Sequence, residues 1–228
     1  MQEQISLGEL LAEFIGSMFL VMAAVSSIIL FVTVLDSHIS VAILANAIAV
    51  AFVLSALIEM FASVSGAHFN PAVTMVMLLD KKIRLLKAAL FVLFQIFGGI
   101  AGTVTSHLMF YNEVGGLIFV SDIVRNEYIF FSEIVGTFIL MLAILVLVKI
   151  KSSRIPIIIG LLVGGQLMST SSTMFANPQV TIARIFTNSA AGIRPIDALV
   201  FIAMQFIGAI LAYGAYKIMF SKIQTSEK

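Results

Sequence analysis

The residues with the most chemistry to offer in this chain are two asparagines, each followed by a proline. Asn70 and Pro71 stand in SGAHFNPAVT, Asn177 and Pro178 in FANPQVTIAR, so Asn-Pro-x-Val-Thr occurs twice in strongly apolar surroundings. An asparagine amide supplies N–H donors and a carbonyl acceptor in one side chain. Asparagine is also among the best helix N-caps, and proline suits the first helical position. Each pair therefore predicts the start of a helix, and a short one. Only AVTMVMLLD separates Pro71 from Lys81 and Lys82, while the second copy runs through TIARIFT into Asn188 and the Gly192–Pro195 turn. Nine helical residues rise about 13 Å, under half of the ~30 Å apolar core of a bilayer.

The remainder of the chain is built to hold such half-helices inside a membrane. It has 228 residues, 61% hydrophobic and 11% charged, whereas a soluble domain carries about a quarter charged residues. Apolar runs long enough to cross a bilayer fall near 9–35, 41–63, 84–110, 128–148, 156–174 and 196–220. Glu3 and Glu9 precede the first, with no basic stretch or cleavage site, so it reads as a retained span. If the six spans alternate, Lys81, Lys82, Arg84, Lys87, Lys149, Lys151, Arg154, Lys217, Lys222 and Lys228 share one face, and Arg125, Arg184 and Arg194 lie on the other. The positive-inside rule puts the first face, with both termini, in the cytoplasm. Cysteine is absent, which excludes disulfide and thiolate chemistry, and a net charge of +1 makes no case for a nucleic-acid partner.

The sequence also repeats in halves, about 1–115 and 125–222. AEFIGSMFL at 12–20 matches SEIVGTFIL at 132–140, and FQIFGGIAG at 94–102 matches MQFIGAILA at 204–212. With three spans per half, the halves insert in opposite senses, the inverted-repeat plan whose functional site lies at the midplane. The expected fold is thus all-α: six transmembrane helices plus two re-entrant half-helices in one domain spanning residues 1–228. The half-helices start from opposite sides and meet N-terminus to N-terminus, where their dipoles concentrate positive potential. Asn70 and Asn177 add amide donors there. Such a constriction suits neutral hydrogen-bonding solutes and opposes cations.

These motifs, with Glu13 and Glu133 on the first span of each half and Gln-x-x-Gly on the third, resemble the aquaporin, or major intrinsic protein, family over nearly the whole chain. The resemblance implies a passive channel with one pore per subunit, a homotetramer in the lipid bilayer, no cofactor or metal and no enzymatic activity. It implies a constriction at Asn70, Pro71 and Ala72 with Asn177, Pro178 and Gln179. It implies a ladder of backbone carbonyls at Gly66, Ala67, His68 and Phe69 and at Thr173, Met174, Phe175 and Ala176. Most members carry an arginine directly after the second motif; here that position is Val180, and Gln179 stands in place of alanine. Along the family pattern the other filter positions are Val50, Gly165 and Met174, predicting a wider, less polar filter than that of a strict water channel. Arg184, one turn beyond Val180, either reaches back as a substitute or snorkels to the headgroups. The second motif further resembles a bacterial subgroup associated with arsenic resistance, which suggests uncharged metalloid acids such as As(OH)₃, or glycerol-like polyols, beside water.

Ionisable groups inside apolar spans need partners. Glu13 and Glu133 read as braces for the backbone N–H groups of the re-entrant loops; the other reading is a proton relay in a proton-coupled carrier. A non-conducting scaffold of the same fold is a third possibility. His68 is expected in the pore loop, and His38 and His107 at span ends. Gln179 must find a partner or reach the pore. Gly98, Gly99, Gly102, Gly160, Gly164 and Gly165 are the small residues that let membrane helices approach closely.

Overall fold

The computed structural model describes residues 5–125 and 127–221, the side chain of Glu127 excepted. Lys222 and Lys228, counted above with the basic face, lie outside them. Among the described residues the chain is helical and contains no strand. In order it forms α1 (Leu7–Ile28), a π-helical extension (Ile29–Val34), α2 (Ile39–Phe61), α3 (Pro71–Leu79), α4 (Leu85–Met109), the single turn α5 (Tyr111–Val114), α6 (Phe130–Lys149), α7 (Ile155–Ser169), α8 (Pro178–Arg184) and α9 (Pro195–Ser221). Ser6 and Glu9 form a reciprocal capping box at the start of α1.

Helices α1 with its extension, α2, α4, α6 and α9 are long and apolar enough to span a bilayer. Helix α7 has 15 residues, about 22 Å, and ends at Ser169, short of the span expected to reach residue 174. The reason lies just beyond it: Thr173 and Met174 take positive φ, 56° and 34°, which no helix accommodates. The chain leaves α7 early to form the second re-entrant loop.

The two halves use the same contacts. Helix α1 packs on α4, α6 on α9, and α2 on α7 across the repeat. A Cβ added at Gly98 would lie 2.3 Å from the Phe14 carbonyl oxygen, and one at Gly208 would lie 2.5 Å from that of Ile134. Each glycine thus lets the third span of its half touch the backbone of the first. Gly160 does the same for α7 on α2, with Ala51 O at 2.5 Å. These close pairs hold the framework in which α3 and α8, too short to cross, point their N-termini at each other.

Candidate pore

Asn70 is extended (φ −157°) and its Oδ1 accepts from Ala72 N, capping α3 beneath Pro71. Asn177 repeats this (φ −154°), capping α8 through Gln179 N. Each amide nitrogen crosses to the other half: Asn70 Nδ2 donates to Ala176 O at 2.9 Å and Asn177 Nδ2 to Phe69 O at 2.8 Å. The two half-helices are thereby stitched tip to tip.

Each loop hangs from a carboxylate with no exposed surface. Glu13 accepts from Ser65 Oγ (2.6 Å), His68 N (3.0 Å), Phe69 N (2.8 Å) and Gln95 Nε2 (2.7 Å). Glu133 accepts from Ser172 Oγ (2.6 Å), Phe175 N (3.0 Å), Ala176 N (2.8 Å) and Gln205 Nε2 (2.6 Å). Gln95 and Gln205 also donate to Thr74 and Thr181, both at 2.9 Å. With four donors on each carboxylate, burial of the charge is compensated.

Gly66, Ala67 and Phe69 have φ of 90°, 51° and 46°; Thr173, Met174 and Ala176 repeat the pattern at 56°, 34° and 46°. Such left-handed residues outside glycine store strain that surrounding structure must enforce, and the two carboxylates supply that enforcement. The carbonyls of Gly66, Ala67, His68, Thr173, Met174 and Phe175 accept no hydrogen bond among the described residues. Those of Phe69 and Ala176 differ from the ladder expectation, because they receive the crossed asparagine amides.

A cavity of about 640 Å³ runs along the loops. Lys82, Ser152, Ser153 and the exposed Glu59 line its end at the basic face; Gly66 through Asn70, Met174, Phe175 and Asn177 form a polar wall. Leu54, Ile58, Leu140, Ile159, Val163 and Leu167 face that wall as an apolar one. Val50, Met174, Val180 and Arg184 line the cavity, but Gly165 does not. It is exposed on the outer side of α7 with open space where a Cβ would stand. Because α7 stops at Ser169, a register counted without gaps through the following loop misses the inward face, which carries Val163 and Leu167.

Gln179 is fully buried and absent from the cavity wall. Its Nε2 donates to Phe69 O at 3.3 Å, and its Oε1 sits where a Cβ on Gly99 would be, at 2.1 Å. In the other half the matching positions, Ala72 and Ala209, share one apolar cluster. The larger residue of one motif is thus matched by a smaller one on α4.

The far end of the cavity is cationic. Arg184 is 5% exposed; its Nε donates to Ala191 O and its Cζ lies 3.7 Å from the Phe175 ring centroid. Arg125, in the segment before α6, donates from Nε and Nη2 to Gly192 O and from Nη2 to Ala190 O, with its Cζ 5.5 Å from the same ring. Burial lowers its pKa from the ordinary arginine value, opposed by the charges of Glu133 and Asp197, and a guanidinium stays protonated throughout. A second cavity of about 300 Å³ opens from there toward the far face; Asn46 and Arg184 line both cavities and mark the neck between them. Asn46 Nδ2 donates to Ala24 O and Ser27 Oγ, each at 2.8 Å. The sequence reading passed over Asn46 and Arg125, although an amide amid an apolar span and one of three arginines on the far face were available signals. His107 also differs from its expected interfacial place: it is fully buried, with Nδ1 2.8 Å from Leu117 O and Nε2 2.9 Å from Thr187 Oγ1. A carbonyl only accepts, so Nδ1 carries the proton, and the ring ties two far-face loops together.

An inverted repeat of membrane-spanning helices, closed by two half-helices around a lined cavity, defines a class of integral membrane protein. The model of the family described as "Major intrinsic protein" matches residues 1–175, and the chain belongs to that family. "Aquaglyceroporin AqpS" of Rhizobium meliloti (strain 1021) is 36% identical over 201 residues, 88% of this chain and 85% of that protein. "Aquaglyceroporin" of Toxoplasma gondii (strain ATCC 50611 / Me49) is 28% identical, with 71% and 63% covered. The X-ray structure of the aquaglyceroporin from Plasmodium falciparum superposes with a TM-score of 0.68 at 18% identity, covering 94% of this chain and 95% of that one, a likeness of fold.

Proposed function

We propose that the chain is a passive channel for water and small neutral solutes, with glycerol-like polyols and uncharged metalloid acids such as As(OH)₃ among them. The carrying observation is the two-sided cavity: a row of carbonyls with no internal partner along one wall, apolar side chains along the other. Hydroxyl groups of a solute donate to those carbonyls. The second N–H of Asn70 and Asn177 and the Nη groups of Arg184 donate in return, while carbon or arsenic faces the aliphatic wall. A cation would lose its hydration against that wall and meet the positive ends of α3 and α8. In this reading Arg184, Val180, Met174 and Val50 set the filter at the neck, and Arg184 takes the place of the family's usual arginine. Two of the relatives bear the name aquaglyceroporin, which supports the solute class.

The carrier reading would put Glu13 and Glu133 on the path. Both are saturated with hydrogen bonds and neither lines either of these two cavities, so we assign them to holding the loops. The basic face is the cytoplasmic one, with both termini there in the plasma membrane, and the assembly is a homotetramer as the family resemblance implies. Stopped-flow light scattering of proteoliposomes tests the function, with glycerol, urea, arsenite and water as permeants. Accelerated glycerol or arsenite entry that follows the solute gradient alone is expected. Flux that requires a pH gradient would establish the carrier, and no acceleration for any permeant would establish the scaffold.

A further inference from the structure

The far face gathers Arg125, Arg184 and Arg194 from three separate stretches around Phe175 and Asp197. Asp197 is already occupied: its Oδ2 accepts Arg194 Nε and Arg125 N, both at 2.7 Å. Among the described residues the second cavity is lined by Arg125 and Arg184 and by no carboxylate; Ile28, Ile43 and Val124 are among its other walls. Arg184 is 95% buried, and its Nη1 and Nη2 donate to nothing among the described residues. Arg125 keeps Nη1 free after giving Nε and Nη2 to the Gly192 and Ala190 carbonyls. Both guanidiniums lie over one ring, at 3.7 and 5.5 Å, and both line the same recess. Two like charges fixed around a recess, with free forked donors, are relieved by an anion that accepts from both.

We propose that this far-face cavity binds a small oxyanion, carboxylate or phosphate-like, between Arg125 and Arg184, and that the bound anion reversibly stops the pore. It is held at the neck because both guanidinium charges are there, whereas the next cavity offers it only partial helix-end charge on one wall and Leu20, Leu54 and Leu140 on the other, too little to replace its hydration.

The flux arm of the test rests on the channel reading; the binding arm does not. Glycerol flux is measured in proteoliposomes with phosphate, acetate or chloride on both sides at equal ionic strength, so that screening is constant. Each variant is read as a fraction of its own flux in chloride. Phosphate or acetate is expected to reduce wild-type flux at millimolar levels, the stronger of the two naming the preferred geometry. Arg125→Ala should weaken the block about tenfold, and Arg125→Lys, which keeps the charge without the fork, should fall between. Equal flux in all three buffers, or equal fractional block in wild type and Arg125→Ala, overturns the proposal. If the chain conducts nothing in any buffer the channel reading fails, and equilibrium dialysis of solubilised protein against labelled phosphate and labelled acetate decides. One anion bound per chain and lost in Arg125→Ala supports the site, and no binding of either overturns it.

Discussion

Asn70 and Asn177 each cap their own half-helix with Oδ1 and donate Nδ2 to the last loop carbonyl of the opposite half, at 2.9 and 2.8 Å. One side chain therefore starts a helix, ties the two halves and leaves one N–H for whatever occupies the cavity. Replacing Asn177 with Asp keeps the cap but removes both donors and sets a negative charge against the positive end of α8. Cation conductance of the assembled channel should rise above the liposome background while glycerol still passes. Background-level conductance in an otherwise conducting variant would show that the dipoles do not govern exclusion.

Glu133→Gln tests the braces. Glutamine presents an NH₂ toward groups that are themselves donors, so two of the four N–H and O–H groups now on Glu133 lose their acceptor. Each buried orphan costs about 1–3 kcal/mol, and the variant should unfold in detergent at markedly lower temperature. Flux per folded protein should show no new pH-gradient dependence. A variant as stable as wild type with altered proton coupling would instead restore the relay reading.

How much of this was legible in the sequence follows from what repeats. The doubled Asn-Pro, Glu and Gln landmarks lie in helices or directly at their caps, where spacing translates into position, so the half-helices, the braces and the inverted topology could be read. The loops could not be read so closely. Thr173, Met174 and Ala176 take left-handed backbone that no propensity signals, so α7 ended early and Gly165 was counted onto the wrong face. Contacts between residues far apart in the chain, such as Gln179 on Gly99 and Arg125 on Phe175, leave no local trace.

The Gly99 and Gln179 pair makes a compensation experiment. Gly99→Ala alone drives a methyl group into Gln179 Oε1 and should destabilise by about 1–3 kcal/mol through overpacking. Gln179→Ala removes that obstacle and reproduces the Ala72 and Ala209 arrangement of the other half. The double variant should be more stable than Gly99→Ala, a favourable coupling read from a double-mutant cycle of denaturation midpoints. Additive effects would mean that the two side chains do not meet.

Arg184→Ala should enlarge the neck and remove its cation. Larger polyols should then gain on glycerol, and proton or cation leak should rise. Loss of the Phe175 contact costs stability on the order of 1–2 kcal/mol, so flux is to be normalised to folded protein. If solute ranking and leak both stay at wild-type values, Arg184 has no part in the filter.

The inward face of α7 offers the sharpest check on the pore wall. Val163 lines the cavity and is buried, while Gly165, two residues on, faces outward with open space beside it. A half turn of helix separates opposite faces, so the two positions should respond oppositely to added bulk. Val163→Phe puts a ring into the lumen against the carbonyl wall and should depress glycerol flux several-fold at unchanged expression. Gly165→Val places its methyl groups outside the lumen and should leave solute ranking as in wild type. A narrowed pore in Gly165→Val with a normal one in Val163→Phe would return Gly165 to the filter and rotate α7 by about that half turn.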